Sequence, residues 1–409
     1  MNGTKVVAVR QSKSALQVPM GRDALTEALR GRIRGFLNDL LSEEADAFLG
    51  AGSYQRSDSR RGYRHGSVRR EITTSFGKTP FDRPRAKLFA EDGHLAEWRS
   101  TMLPRYSRRC RDVDAALLGL YFGGVNTRKV KQAIRPLLKG SPLSSSTISR
   151  LIVKIEGYFQ AWQCRSLVEE DIRYLYLDGI YVRVRCGRKV SKLPMLVAVG
   201  VRATGEKILL AMETRGEESE EAWKGMLQGL ADRGLKRPLL AIVDGNRGLA
   251  NALDSVWPKM DRQRCIIHKL RNLQSHAPRR LYDELKEDFH RIVYADDMAS
   301  GKEFYDRFLR KWKKQWTPVA RSLEEAGPEL LAFYRYPQSQ WKSLRTTNAV
   351  ERLNEEFRRR MKTQGSFPSE SSVLVVLFGL VASGMVRLRK IPGYYDMPPR
   401  SPEALERSV

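Results

Sequence analysis

Apolar residues recur along this chain in three textures. Over residues 22–49, Leu25, Leu29, Ile33, Phe36, Leu37, Leu40 and Leu41 return at helical intervals. That spacing predicts one long amphipathic helix whose apolar face meets another helix, in this chain or in a second copy. Residues 60–89 lose the period, and Gly62, Gly66, Gly77 and Pro80 suggest short strands and turns. Residues 112–160 are helical again in three pieces. The first, near 112–122, is broken by Gly123 and Gly124; the second is capped by Asn126 and runs to about Leu138; the third follows the turn KGSPLS, capped by Ser144 or Ser145. Two short helices about a Gly/Pro/Ser turn form a helix-turn-helix pattern, which plain helical hairpins share.

Strict alternation begins at Arg173. In RYLYLDGIYVRVR one face carries Tyr174, Tyr176, Asp178, Ile180, Val182 and Val184, so Asp178 is a lone carboxylate among apolar neighbours. Either it meets a cation, because unpaired burial is costly, or Asp178-Gly179 is a hairpin turn outside the core. Residues 194–202 and 207–215 are two further strands of a meander, and a helix follows over 218–233. PLLAIVDGNRGL is an apolar strand that ends at Asp244 and opens into a helix. Carboxyl ends of strands are where open α/β sheets hold ligands, though an Asp there also shapes a strand-to-helix turn. A fifth short strand is expected over 263–272, then a polar helical stretch over 273–335. In 346–360, TTNAVERLNEEFRRR, a helix buries Val350, Leu353, Phe357 and Met361 and carries Asn348, Glu351 and Glu355 on a second stripe. Locally, Asn348 with Glu351 reads as a capping box. The apolar run 373–386 is 14 residues long, which suits a buried helix and not a membrane span.

Charge narrows the function. The 409 residues hold 73 Lys+Arg against 47 Asp+Glu, a net charge of +26, and such an excess points to a polyanion, most often nucleic acid. Nine basic residues fall within 60–87, interleaved with Tyr63, Phe76 and Phe81; Arg60, Arg61, Arg64, Arg69 and Arg70 are candidates for phosphate contacts with some stacking. In the helix-turn-helix, Arg128 and Lys129 lie on the second helix and Ser146, Ser149, Arg150 and Lys154 on the third, where a recognition helix meets bases and phosphates. Arg345, Arg352, Arg358 and Arg359 are candidates to grip phosphates near Glu351. Trp341 is either a stacking platform for an unpaired base or a core residue. Cys110, Cys164, Cys186 and Cys265 show no paired spacing, and the first residues lack an apolar signal core. A reducing cytosol fits.

Three antiparallel strands, a helix, a strand, a helix and a strand are the order of a ribonuclease-H-like α/β fold with a five-stranded mixed sheet. Asp178 on its first strand, Asp244 ending its fourth and Glu351 on a later helix occupy that fold's acidic positions. The second gap, 107 residues against 66, leaves room for an all-helical insertion. The expected divisions are a flexible tail (1–20), a helical and basic region for DNA binding or dimerisation (21–100), a helix-turn-helix domain (101–168), the core in two parts (169–272 and 336–395) about the insertion (273–335), and a C-terminal tail (396–409).

At this point the chain resembles the Mutator-type transposases of bacterial insertion sequences, members of the DDE superfamily. YLYLDGIYVRVR, IVDGNRGL, QRCIIHKLRN and WKSLRTTNAVERLNEEFRRR carry the resemblance, with RRGYRHGSVRREI and FGGVNTRKV upstream. It departs mildly at Asn246, where relatives often have Ala or His. The resemblance implies a bacterial, cytoplasmic enzyme on the nucleoid that binds terminal inverted repeats and target DNA, cleaves and transfers strands, and works as a homodimer or larger assembly, away from membranes. It makes Asp178, Asp244 and Glu351 the metal-binding triad, and Cys265 and His268 the family's C-x2-H pair.

The chemistry is consistent with this. Two Mg²⁺ or Mn²⁺ ions, roughly 3.5–4 Å apart, suffice for phosphodiester transfer, and such hard cations take oxygen ligands with several waters. Cys265 and His268 are too few ligands for zinc, so support of the active site, shared with Asn348, is the expected role. The competing functions are a DNA-binding regulator without catalysis and a ribonuclease-H-like nuclease that does not join strands.

Overall fold

A computed structural model describes residues 24–89, 94–104, 106–125, 129–130, 133 and 145–400. The expected N-terminal tail, Arg128 with most of the second helix and the turn of the helix-turn-helix pattern, and the last nine residues lie outside the described residues. The chain divides into two compact units, Met1–Leu117 with Lys131–Leu143, and Leu118–Val130 with Ser144–Val409. The boundary falls inside helix α2 (Arg111–Phe122).

In the first unit, helix α1 (Ala24–Leu49) accompanies an antiparallel sheet of β1 (Gly62–Thr74), β2 (Gly77–Phe89) and β3 (Leu95–Glu97). The strands are longer than the glycines suggested. Gly66 and Gly77 explain why: the first sits at a register shift and the second closes the hairpin, both with positive φ. Among the described residues of this chain the helix packs on the hairpin. Leu37 and Leu41 pack with Ile72, Phe81 and Leu103, while Ala45 and Leu49 pack with Ala86, Leu88 and Trp98. Positions four apart line one face, and the small Ala45 lets the sheet approach. Leu25, Leu29 and Phe36, expected on the packed face, are exposed within the single chain.

The second unit is built on a five-stranded mixed sheet of β4 (Ile172–Cys186), β5 (Lys189–Arg202), β6 (Lys207–Thr214), β7 (Leu240–Val243) and β8 (Asp261–Arg264), in the order β6-β5-β4-β7-β8. The meander pairs are antiparallel, and β7 is parallel to both β4 and β8. Its central strand β4 is buried on both faces from Tyr174 to Asp178, and alternation shows only beyond Ile180. One face, with Leu175 and Leu177, packs under α4 (Glu220–Asp232) and α5 (Arg247–Val256) around Trp223, Leu227, Leu249 and Leu253. On the other face the Tyr174 hydroxyl donates to Gln340 and the Tyr176 hydroxyl to the Ser343 carbonyl.

The expected fifth strand is short. It stops at Arg264, and α6 (Ile266–Ser275) begins at once. Ile266, Leu270 and Leu273 recur at three and four residues, which is helical spacing, so only four residues remain to pair with β7. Helices α7 (Tyr282–Val293), α8 (Met298–Gln315) and α9 (Thr317–Ala326) follow, then 3-10 turns, α10 (Trp341–Leu344) and α11 (Asn348–Gln364). The apolar run forms α12 (Glu370–Ala382), buried along most of its length, and Phe378 packs against Phe159 and Trp162 of α3 (Ser145–Gln163). No helix among the described residues is long and apolar enough to cross a membrane.

Trp223 is fully buried between sheet and helices. Trp223→Ala is expected to cost about 3–5 kcal/mol, the usual result of emptying an aromatic core site. A urea titration followed by circular dichroism measures it, and an unchanged midpoint would contradict this packing.

Candidate active site

Asp178 lies within β4, opposite Val197 of β5. The ladder continues past it to Cys186, and the chain turns at Gly187–Arg188, so Asp178-Gly179 is not the hairpin turn. The residue is 8% exposed. Its Oδ2 accepts from Asn354 Nδ2 at 2.7 Å and its Oδ1 from the Gly179 N–H at 3.0 Å. Burial, and then the charge of Asp244, push its carboxyl up to about 6; Glu351 adds to this, while His268 and the Gly179 N–H oppose it.

Asp244 directly follows β7. Tyr176 pairs with Ile242 across the parallel ladder, so two residues further along both chains bring Asp178 and Asp244 side by side. Asp244 Oδ1 also accepts from the Asn246 N–H at 2.9 Å. The turn-shaping role and the strand-end position are therefore both present. Gly245 has φ +103°, and a Cβ there would collide with the Arg264 guanidinium, so only glycine fits.

Glu351 is in the first turn of α11, but not in a capping box. The N-cap is Thr347, without a side-chain cap, and Asn348 is an exposed first helical residue. The helix start is fixed from outside instead. The Ile266 N–H donates to the Arg345 carbonyl at 3.0 Å, and both the N–H and the hydroxyl of Thr347 donate to Cys265 Sγ at 3.4 Å. Freed from capping, Glu351 Oε1 lies 3.8 Å from His268 Nε2. Asn354, one turn along the same face, is the residue that reaches Asp178.

Cys265, the N-cap of α6, His268 and Glu351 place one donor atom each within 4.8 Å of one another. Sequence spacing offered two such donors; the fold supplies a third. Asp178 and Asp244 do not join so tight a group. Burial alone would raise the Cys265 thiol, but contacts with His268 and Thr347 outweigh it and bring the thiol below its usual range. His268 is pushed up to about 9, chiefly by the adjacent Cys265, with burial opposing and Asp178 and Asp244 adding. Its Nδ1 and Asn354 Oδ1 are buried without hydrogen-bond partners. Among the described residues no Lys or Arg pairs with Asp178, Asp244 or Glu351.

Three neighbours escaped sequence reasoning. Asn354 was legible only as the i+3 position from Glu351. Asn246 N-caps α5, accepting from the Leu249 N–H at 3.2 Å. Glu218, which reads as an ordinary acid before a helix, is half-buried beside the triad; burial first, and Asp244 second, raise its carboxyl above the usual range.

The candidate DNA contacts separate by environment. In the first unit Arg60, Arg61 and Arg69 are exposed, whereas Arg64 binds Ser42 and Asp46, and Arg70 reaches the Ser107 carbonyl. Lys129, Ser146, Ser149, Arg150 and Lys154 are exposed, with Arg150 folded back on Ser146. Arg352, Arg358 and Arg359 are exposed on α11, Arg359 pairing with Glu356. Arg345 is half-buried, donates to the Val293 carbonyl and lies over Tyr294. Trp341 is half-buried, sits edge-on to Phe333 and Tyr334 and donates its indole N–H to the Tyr336 carbonyl.

Residues 4–385 match the family described as "Transposase, Mutator family". The chain is 36% identical over 348 residues to the transposase for insertion sequence element ISRM5 of Rhizobium meliloti, covering 85% of each protein. It is 32% identical over 358 residues to the transposase for IS905 of Lactococcus lactis, covering 87% of this chain and 89% of that one. It is 30% identical over 337 residues to the transposase for IS256 in transposon Tn4001 of Staphylococcus aureus, covering 82% and 84%. With a family match over nearly its whole length, the chain belongs to the Mutator family of transposases.

Proposed function

We propose that this transposase binds the terminal inverted repeats of its insertion sequence and performs metal-dependent strand cleavage and transfer at Asp178, Asp244 and Glu351, in a ribonuclease-H-like core. One observation carries the reading: a central strand, the end of its parallel neighbour and a distant helix bring three carboxylates near one another, and among the described residues no Lys or Arg is ion-paired to them. The sheet order β6-β5-β4-β7-β8 supports the fold assignment. A regulator without catalysis has no use for such an arrangement, since crowding like charges in a half-buried site is costly.

These residues suit Mg²⁺ or Mn²⁺. The donors on Asp178, Asp244 and Glu351 are hard oxygens, Asp178 is nearly buried with a carboxyl pushed upward, and the Asn354 carbonyl oxygen beside it lacks a partner. Bound divalent ions would supply charge relief at the phosphorus and a deprotonated attacking oxygen. The chain's own part is placement. Asn354 fixes the rotamer of Asp178, the Asn246 N–H fixes Asp244, and the Cys265–Thr347 contacts set the start of the helix that bears Glu351. His268 offers a proton donor near Glu351 that can meet a scissile phosphate.

Asp178→Ala, Asp244→Ala and Glu351→Ala are each expected to abolish cleavage and strand transfer while repeat binding persists. Glu355→Ala, on the exposed side of the same helix, should retain most activity. Cleavage of labelled element ends should require Mg²⁺ or Mn²⁺, with Ca²⁺ allowing binding and little chemistry. Normal cleavage by Glu351→Ala would sink the assignment.

Repeat binding should weaken steeply with salt. Replacing the exposed Arg60, Arg61 and Arg69 together by Ala should reduce the slope of log affinity against log salt by up to about 3, roughly one per lost phosphate contact. Mobility shifts across a salt series check this, and an unchanged slope removes these arginines from the interface.

Cys265, His268 and Glu351 could together hold zinc in an open site. Because Cys265 Sγ already accepts twice from Thr347, the proposed role is bracing, and elemental analysis should find substoichiometric zinc. Cys265→Ser should lower activity without altering repeat binding. One zinc per chain would overturn the bracing role.

A further inference from the structure

Glu218 lies in the connection between β6 and α4, next to the N-cap Ser219. Its position is defined from two sides. Its Oε1 accepts from Asn246 Nδ2 at 3.2 Å. A Cβ placed on Gly179 would lie 3.0 Å from its Oε2 and 3.1 Å from its Oε1, so the carboxylate covers the backbone immediately after Asp178. Asn246 in turn gives its N–H to Asp244 and its side-chain oxygen to the first turn of α5. A continuous set of contacts therefore runs from the Asp178 strand through Glu218 and Asn246 to Asp244.

We propose that Glu218 is a positioning residue for the transposase reaction: its carboxylate, seated over Gly179 and bonded to Asn246, holds the Asp244 turn against the Asp178 strand. This rests on the triad reading above. It also accounts for two small features of the sequence. A side chain at residue 179 would have to displace the Glu218 carboxylate by a few tenths of an ångström, and glycine leaves that seat open. Residue 246 is asparagine because the site asks it for three things at once: a backbone donor to Asp244, a side-chain acceptor for the helix, and a side-chain donor to Glu218. Alanine could neither cap α5 nor donate to Glu218.

The acceptor oxygen, and not the negative charge, is what this role requires. Glutamine keeps an oxygen at the same reach; alanine does not. Asn246→Asp preserves the cap and the backbone donor but presents an acceptor to an acceptor. Combined with Glu218→Gln it reverses the bond, since the Gln amide can donate to the new carboxylate.

The experiment is cleavage of labelled element ends by the full chain across a Mg²⁺ series, with mobility shifts and thermal midpoints alongside. Glu218→Ala and Asn246→Asp should each cut cleavage about 10–100-fold, as loss of an outer partner of a metal-binding residue commonly does. Both should raise the Mg²⁺ concentration at half-maximal rate and leave repeat binding unchanged. Glu218→Gln should recover most activity relative to Glu218→Ala, and the double variant should be markedly better than Asn246→Asp alone. Full activity in Glu218→Ala would overturn the proposal. So would a Glu218→Gln variant as inactive as Asp178→Ala, which would make Glu218 a charged ligand. A double variant no better than Asn246→Asp would likewise overturn it, and this comparison stands even if Glu218→Ala folds poorly. Should Asp178→Ala itself cleave normally, the triad reading fails, and that result is separate from any of these.

Discussion

Like-charge repulsion inside a half-buried pocket is the constraint on which the rest of the second unit depends. Asp178 is almost removed from water, with Asp244 and Glu351 both raising its carboxyl. Left alone, such groups would move apart or take up protons. The fold prevents the first by placing each on an element whose position is decided elsewhere. Asp178 cannot leave because β4 is paired on both sides and covered on both faces. Asp244 cannot leave because β7 is held between β4 and β8. Glu351 rides a helix whose buried stripe, Val350, Leu353 and Phe357, is independent of its acidic one.

Polar contacts then set the finer geometry. Each is short-range and joins segments distant in sequence: Asn354 to Asp178, Thr347 to Cys265, and the Ile266 N–H to the Arg345 carbonyl. Buried polar groups held this way are rigid, because losing a partner costs more than the bond itself contributes. The cysteine is the most economical of these pieces. It directly follows β8, stands at the N-cap position of α6 and receives both donors of Thr347, so one residue relates the parallel strands to the helix bearing Glu351.

Much of this was legible in the sequence because it depends on period. Alternation marked the meander, and spacing of three and four marked α11 and its buried face. Asp178, Asp244 and Glu351 could be named from their places in that order, and sheet register brings the two aspartates side by side. What stayed hidden depends on contacts across long separations. The stretch 263–272 is too short and mixed for its apolar residues to separate a strand from a helix by eye: β8 begins earlier, at Asp261, and ends at Arg264, and the rest is mostly helix. The apparent capping box at Asn348 failed because Cys265, 82 residues earlier, claims Thr347 and starts the helix one residue sooner. Glu218 gave no signal, since acids before helices are common for reasons of the helix dipole alone.

The helical stretch 273–335 raises a last physical question: how Asp244 and Glu351, 107 residues apart in sequence, are held in place across it. The answer lies in Glu325 of α9. It receives Arg264 from the end of β8 through both carboxylate oxygens at 2.9 Å, and Lys269 from α6 at 2.9 Å. The same Arg264 guanidinium lies where a side chain on Gly245 would stand, beside Asp244. Arg264 and Lys269 are both nearly buried, so removing Glu325 would leave two cations without a counter-charge, a costlier state than the pairing itself is favourable. Helix α9 is therefore bound to the Asp244 turn by charge. At the other end of this stretch Arg345, fastened to Val293 at the end of α7 and lying over the C-cap Tyr294, leads directly into α11. These helices thus connect the Asp244 turn to the helix that bears Glu351.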